Sequence, residues 1–224
     1  MDEDGRVRVL AASRWIGALP EEDRRRLASA ASVRRYRRGQ FIFYQGDPGD
    51  SLLVVADGSL KALSTSPQGE ELLLAVIERG ETVGELAVAD GGERSATVVA
   101  LTDATVLRIP REVVLSTAEH SPALLGVLLT SLAATVRRLT GDAADLVFLD
   151  IPRRVAKLLL TLPRADGTDV VRTLLTQTEL AERVGASRQS LNAALQAFQR
   201  RGWITVGTHE VRLLDPSSLR RFVG

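Results

Sequence analysis

The sequence predicts an α+β protein: an N-terminal β-sandwich or jelly roll, a long helix, and a C-terminal helix-turn-helix with a hairpin wing. Three observations predict it. Short runs of Val, Leu, Ile and Phe, broken by Gly, Pro and Asp, fill residues 33–110. A 4-3 repeat of apolar residues runs from Leu125 to Leu146. A helix-start signal, a glycine turn and a second amphipathic helix follow between Thr176 and Arg201.

Taken in order, residues 1–12 are charged and then alanine-rich, and are expected to be loosely ordered. Trp15, Ile16, Leu19 and Leu27 fit short helices, with Pro20-Glu21-Glu22-Asp23 as an acidic first turn. The strands expected are 40–44, 52–55, 60–64, 72–76, 96–100 and 105–109. The run Arg34-Arg35-Tyr36-Arg37-Arg38 reads as a solvated strand edge that discourages edge-to-edge pairing. Residues 111–149 turn helical. Leu125, Leu129, Leu132, Val136, Leu139, Ala143 and Leu146 form a coiled-coil seam, while Leu124 and Leu128 sit on a flanking face that can pack on the β-domain. Asp150-Ile151-Pro152 then reads as a fresh helix start, with Asp as N-cap and Pro in the first turn. That helix runs to about Leu162, and residues 163–169 read as a loop. The domains expected are 1–110, 111–149 and 150–224.

Composition narrows the chemistry. With 224 residues and 45% apolar content, the chain supports one large domain or two small ones. There is no cysteine, so there is no disulfide, thiolate metal site or iron–sulfur cluster, and His120 and His209 are the only imidazoles. No metal ligand set is expected. The longest low-charge run, 121–136, is shorter than the roughly 20 residues of a membrane span. The acidic N-terminus lacks the basic stretch of a secretory signal, so the expected compartment is the cytoplasm and no membrane partner is expected. The net charge of +1 hides an asymmetry: 17 basic and 22 acidic residues in 1–150, against 12 and 6 in 151–224. A basic C-terminal third behind an acidic body suits a nucleic-acid-binding domain attached to a sensor.

Val83-Gly84-Glu85-Leu86-Ala87, followed ten residues after Gly84 by Arg94-Ser95-Ala96, is the most chemically loaded stretch. It is expected to form a short excursion between strands. Arg suits bidentate phosphate binding, and a carboxylate accepts hydrogen bonds from a sugar hydroxyl but repels phosphate. A phosphorylated ribose needs both, held apart.

In the C-terminal third, Thr176-Gln177-Thr178-Glu179 is a capping box that opens a short helix. Leu180, Ala181 and Val184 give that helix an apolar face, and Gly185 marks the turn. Ser187 leads into a helix from Arg188 to about Arg201, with Leu191, Ala194 and Leu195 facing inward. Residues 203–206 and 211–214, joined through Gly207-Thr208-His209-Glu210, read as the wing.

With Gln45-Gly46-Asp47-Pro48-Gly49-Asp50 and Asp57-Gly58 upstream, the Gly84–Ser95 stretch resembles the phosphate-binding cassette of cyclic-nucleotide-binding domains. The C-terminal third resembles the winged helix-turn-helix of the Crp/Fnr transcription regulators, and both signatures come in that family's order. The resemblance covers roughly residues 13 to 215. It implies that Glu85 binds a ribose 2′-hydroxyl, that Arg94 and Ser95 bind a cyclic phosphate, and that Gly84 and Leu86 supply backbone contacts. Ala62, Leu74 and Val83 would line an apolar wall. Of the two hydroxyl residues that meet adenine in the family, the matching positions are Leu139 and Thr140, and only Thr140 keeps a hydroxyl. Cyclic AMP is the expected effector, with cyclic GMP, or no effector, as alternatives.

The resemblance also implies a homodimer on a double-stranded DNA operator, with RNA polymerase as a further partner. Arg188 would read guanine. Gln189 stands where the family commonly has Glu, and Gln suits adenine. Asn192 would reach a base edge or a phosphate, and Ala193 stands where a base-reading Arg is found. Thr176, Gln177 and Ser187 fall at phosphate-contact positions, Ser187 serving equally as an N-cap. Three other readings stay open: a regulator that binds DNA without an effector, a signalling adaptor whose winged domain binds protein, and an enzyme. Against the last, the sequence offers no nucleophile–base pair and no P-loop.

Overall fold

Two four-stranded antiparallel sheets build the N-terminal part of this protein, seen in a computed structural model that describes residues 1–162, 168–207 and 210–224. One sheet contains β1 (Ser32–Tyr36), β8 (Ala104–Pro110), β3 (Ser51–Asp57) and β6 (Thr82–Val83), in that order. The other contains β2 (Phe41–Phe43), β7 (Thr97–Ala100), β4 (Leu60–Thr65) and β5 (Glu71–Ile77). The chain forms two compact units, Met1–Arg137 and Arg138–Gly224.

β3 shows why the first unit takes this form. Its run Ser51–Ala56 is buried throughout, which an uninterrupted apolar strand requires and an alternating one does not. Val55 packs with Leu60, Ala62, Ile77, Val98 and Val106 between the two sheets. Leu52 and Val54 face the other way, into a second cluster with Leu10, Leu27, Val88, Val114, Leu124 and Leu128 from the helices. The expected sandwich is therefore present, with helices covering one of its sheets. β1 lies at a sheet edge and exposes Arg34 and Arg35, as expected of a solvated edge.

Two expectations are corrected in this unit. Residues 1–12 are not loose: Glu3–Ala11 is a helix, α1, capped by the Asp2 carboxylate, which accepts from the Gly5 N–H at 2.9 Å. The same hydrogen bond holds the Asp2 carboxyl below its ordinary pKa. Leu10 anchors α1 in the core against Ile16, Leu19 and Leu27, the last on α2 (Glu21–Ala30). The stretch after Gly84 is the expected short excursion, from β6 to β7, but it is helical where a loop was expected. Glu85–Asp90 is a short helix, α3, closed at each end by a left-handed glycine, Gly84 and Gly91.

The helical stretch 111–149 is interrupted. α4 covers Arg111–Ala118 and α5 covers Pro122–Phe148. The break has a local cause. The Ser121 hydroxyl accepts from the Leu124 N–H at 3.2 Å and donates to Asp23 at 2.5 Å, and Pro122 occupies the first helical position. As expected of a flanking face, Leu124 and Leu128 are buried. The seam residues Leu125, Leu129, Val136, Leu139 and Leu146 are exposed. At 27 residues, with a mean hydropathy of 1.4 in its most apolar window, α5 meets the length and composition of a membrane span, which the charge-free run alone does not. Its 4-3 seam and its carboxylates at Asp142 and Asp145 set it apart from a lipid-facing helix.

The second unit begins inside α5. Asp145 accepts from Lys157 at 2.6 Å, and Asp142 accepts from both terminal nitrogens of Arg183 at 3.3 and 3.4 Å. α6 (Ile151–Thr161) starts as expected, with the Asp150 carboxylate accepting from the Arg153 N–H at 2.9 Å. α7 (Gln177–Arg183) and α8 (Arg188–Arg200) follow. β10 (Ile204–Val206) and β11 (Glu210–Leu213) form the wing, joined on its far side by β9 (Val170–Arg172), a strand the sequence did not signal. The expected wing turn includes Thr208 and His209, and the expected loop includes 163–167, which lie outside the described residues. A last helix, α9 (Pro216–Val223), is not among the expected elements. Its Asp215 cap accepts from the Ser218 hydroxyl and N–H, which hold that carboxyl below its ordinary pKa. Leu219 is buried, and Phe222 packs edge-on to Phe198 of α8 at 5.6 Å.

Candidate functional sites

Gly84 and Arg94 are fitted to one another. Gly84 has φ +94°, and a Cβ there would sit 2.3 Å from Arg94 Nη1 and 3.0 Å from the Ser51 carbonyl oxygen. Only glycine admits both the backbone and the neighbour. Arg94 is 4% exposed. Its Nη1 donates to the Ser51 carbonyl at 2.8 Å, and its Nη2 donates to Ser51 Oγ at 3.0 Å and to Asp50 Oδ1 at 3.4 Å. Phe43 of β2 lies under the guanidinium, 4.3 Å from ring centre to Cζ. Asp50 also pairs with Arg108 of β8. Burial lowers the Arg94 pKa, Asp50 acting against that shift and Arg108 with it. Arg94 Nε is buried and has no hydrogen-bond partner among the described residues.

A guanidinium has two forked edges. Here the edge made by the two terminal nitrogens is held by Ser51. The other edge, Nε with Nη2, contains the unpartnered N–H and faces only the long contact to Asp50. A buried donor without an acceptor is costly, and a guanidinium edge of this kind can accommodate an oxyanion beside Asp50.

Glu85 opens α3, and its Oε1 accepts from the Thr135 hydroxyl of α5 at 3.4 Å. Ser95 is exposed beside Arg94, and Leu86 is half-buried. Ala62, Leu74 and Val83 come together in the apolar cluster between the sheets, as an apolar wall needs. A β-bulge between Ala62 and Leu63 brings Leu74 into that cluster as the extra residue of β5. A polar cleft of about 500 Å³, lined by Tyr44, Gln45, Gly46, Thr65, Glu93, Arg94 and Thr97, adjoins the cassette. Arg94 is the one expected ligand residue in its lining. Thr140 belongs to the second unit, where it is exposed on α5. Ser51, Phe43 and Thr135 are not among the residues singled out from the sequence, and Asp50 is there only as part of the Gln45–Asp50 motif. A serine heading the apolar run of β3 was the one visible signal.

The helix-turn-helix is built as the sequence indicates. Thr176 Oγ1 accepts from the Glu179 N–H at 3.2 Å, and Glu179 Oε2 accepts from the Thr176 N–H at 2.8 Å, completing the capping box. Gly185 turns the chain at φ +61°, and the Ala186 N–H reaches back to the Ala181 carbonyl at 3.0 Å. Ser187 caps α8 by accepting from the Ser190 N–H at 3.1 Å. Gln177, Ser187, Arg188 and Gln189 are exposed, Asn192 is half-buried, and Leu191, Ala194, Leu195 and Phe198 are buried beneath them. Arg188 has no ion pair among the described residues. Thr176→Ala is expected to destabilise the protein by about 1 kcal/mol, seen as a lower urea midpoint without DNA.

A β-sandwich followed by a winged helix-turn-helix is the architecture of a transcription regulator. The family described as "Cyclic nucleotide-binding domain" matches residues 33–121, and "Crp-like helix-turn-helix domain" matches residues 153–222. The chain is 36% identical over 191 residues to the CRP-like cAMP-activated global transcriptional regulator of Mycobacterium tuberculosis, covering 83% of this chain and 85% of the relative. It is 35% identical over 203 residues to the cyclic AMP receptor protein of Thermus thermophilus, covering 91% and 93%. The crystal structure of Thermus thermophilus catabolite activator protein is similar at a TM-score of 0.53 and 33% identity, over 92% of this chain and 96% of that one. FixK2 from Bradyrhizobium japonicum, at a TM-score of 0.78 but 17% identity over 87% and 98%, shares the fold. The chain belongs to the Crp/Fnr family of transcription regulators. These relatives are regulators, not enzymes. Among the described residues there is no cluster of His, Cys, Asp or Glu that could hold a metal ion.

Proposed function

We propose that this protein is a homodimeric regulator that binds a double-stranded DNA operator under the control of cyclic AMP. The observation that carries the effector reading is the buried Arg94 guanidinium, braced by Ser51 on one edge and left with an unpartnered Nε–H on the other. A cyclic phosphate supplies the oxygen that Nε lacks and a second one to Nη2, whose contact on this edge is the long one to Asp50. Ser95 adds a hydroxyl to that phosphate, and Gly84 and Leu86 add backbone contacts. Glu85 accepts from the ribose 2′-hydroxyl. Ala62, Leu74 and Val83 form the wall for the base, and Thr140 offers the base a hydroxyl. Relatives named as cAMP-activated favour adenine.

On the DNA side, α8 enters the major groove with Arg188, Gln189 and Asn192 at base edges, while Thr176, Gln177 and Ser187 position the backbone. The exposed seam of α5 pairs two copies. The protein works in the cytoplasm, with RNA polymerase as its downstream partner.

Titration calorimetry with cyclic AMP, cyclic GMP and 2′-deoxy cyclic AMP tests the effector reading. Cyclic AMP is expected to bind more tightly than cyclic GMP. The 2′-deoxy analogue is expected to lose about 5- to 150-fold, because it removes the ribose hydroxyl that Glu85 would accept from. Equal affinity for the 2′-deoxy analogue overturns the role of Glu85. No heat with any of the three overturns nucleotide control and leaves a regulator that acts without an effector.

A further inference from the structure

α8 carries an exposed stripe of uncharged side chains. Gln189, Ala193 and Gln196 are all exposed, at spacings of four and three residues, and so lie on one helical face. The opposite face, Leu191, Ala194, Leu195 and Phe198, is in the core, so the stripe cannot rotate away from a groove. Arg188 precedes it at the helix start. None of Arg188, Gln189 and Ala193 is committed by a side-chain hydrogen bond or ion pair among the described residues. The two central positions have opposite reading capacities. Gln presents a donor and an acceptor together, the match to adenine N7 and N6 in the major groove. Ala presents one methyl group and nothing that hydrogen-bonds. The base-pair feature it can read is the thymine C5-methyl.

We infer that Gln189 and Ala193 make two positions of each operator half-site A·T-selective, Gln189 by hydrogen bonds to adenine and Ala193 by methyl contact with thymine. This rests on the DNA-binding reading above. Gln189 and Ala193 are about 6 Å apart along the helix axis, close to two base-pair steps of about 3.4 Å. The two A·T positions therefore lie one or two pairs apart, beside the guanine read by Arg188. The small side chain at Ala193 also lets the helix approach closely enough for Gln189 and Gln196 to reach the base edges from either side. A protein with Glu at the first position and Arg at the second would select cytosine and guanine there instead.

The test is selection of randomised duplexes by the full-length protein with cyclic AMP present, followed by binding of the selected site. The expected site contains guanine and two A·T positions per half. Gln189→Glu is expected to change the preferred base at one of them from adenine to cytosine. Uracil in place of thymine at the other removes only the methyl group, and is expected to weaken the wild type about fourfold. In Ala193→Gly the same thymine-to-uracil change is expected to have no effect. That comparison is made within one variant, so a change in its stability does not enter. An unchanged preference in Gln189→Glu overturns the first assignment, and a wild type indifferent to uracil at every thymine overturns the second. A library from which the wild type enriches no sequence overturns the DNA-binding reading itself.

Discussion

Arg94→Ala is expected to weaken cyclic nucleotide binding by about 30- to 5000-fold, the loss found when one partner of a buried, hydrogen-bonded charge pair is removed. The nucleotide-free protein is expected to change far less in stability. The variant loses two hydrogen bonds to Ser51 and the contact with Phe43, but it also loses the desolvation that dominates the lowered pKa of the guanidinium. These oppose each other, so the unfolding free energy without ligand is expected to stay within about 2 kcal/mol of the wild type. Gly84→Ala is the companion case, with a different signature. Its Cβ meets Arg94 Nη1 at 2.3 Å, and its backbone is held at φ +94°, so it displaces the arginine and strains the turn together. Binding and stability are both expected to fall. Calorimetry and thermal melts on the two variants separate these outcomes. An Arg94→Ala protein that binds cyclic AMP as the wild type does would remove the phosphate role from Arg94.

What could be read in the sequence follows from how local each signal was. β3 was legible because Leu52–Ala56 is a buried run bounded by Asp50 and Gly58, and a continuous apolar strand needs no partner information. β6 and β9 were not, since neither short stretch is set off by a longer apolar run or turn signals of its own; they are made by pairing, Val83 with Leu53 and Val171 with Val211. α1 was hidden by its own charges. Its mean composition is polar, and one core anchor, Leu10, fixes it. α9 carried a readable signal that was passed over, an Asp-Pro start with Leu219 and Phe222 three residues apart. The candidate site divides in the same way. Gly84, Glu85 and Arg94 could be put forward because they lie within one short stretch of sequence. Ser51 lies 43 residues before the arginine it braces, and Thr135 lies 50 residues after the glutamate it meets. Only the fold brings those pairs together. The helix-turn-helix was legible almost throughout because its caps, turn and buried face are all local.

Leu129→Glu combined with Val136→Glu is expected to convert the proposed dimer to monomers at micromolar concentration. These side chains are 59% and 60% exposed in the single chain, with no core role to lose. The protomer should therefore keep its circular dichroism and its folding. In a parallel pair of α5 helices each side chain would instead lie at the seam, and burying it there contributes about 1.5–3 kcal/mol. Two positions on each of two chains amount to about 6–12 kcal/mol, enough to move a nanomolar dimer past the micromolar range. The four carboxylates would also face one another across the seam. Sedimentation velocity reads the result directly. Operator affinity should fall with the dimer, because a single recognition helix covers one half-site, whereas two must reach half-sites about 34 Å apart. A wild type that sediments as a monomer overturns the dimer outright. A double variant that stays dimeric moves the interface away from α5 and leaves its exposed apolar seam to a different partner.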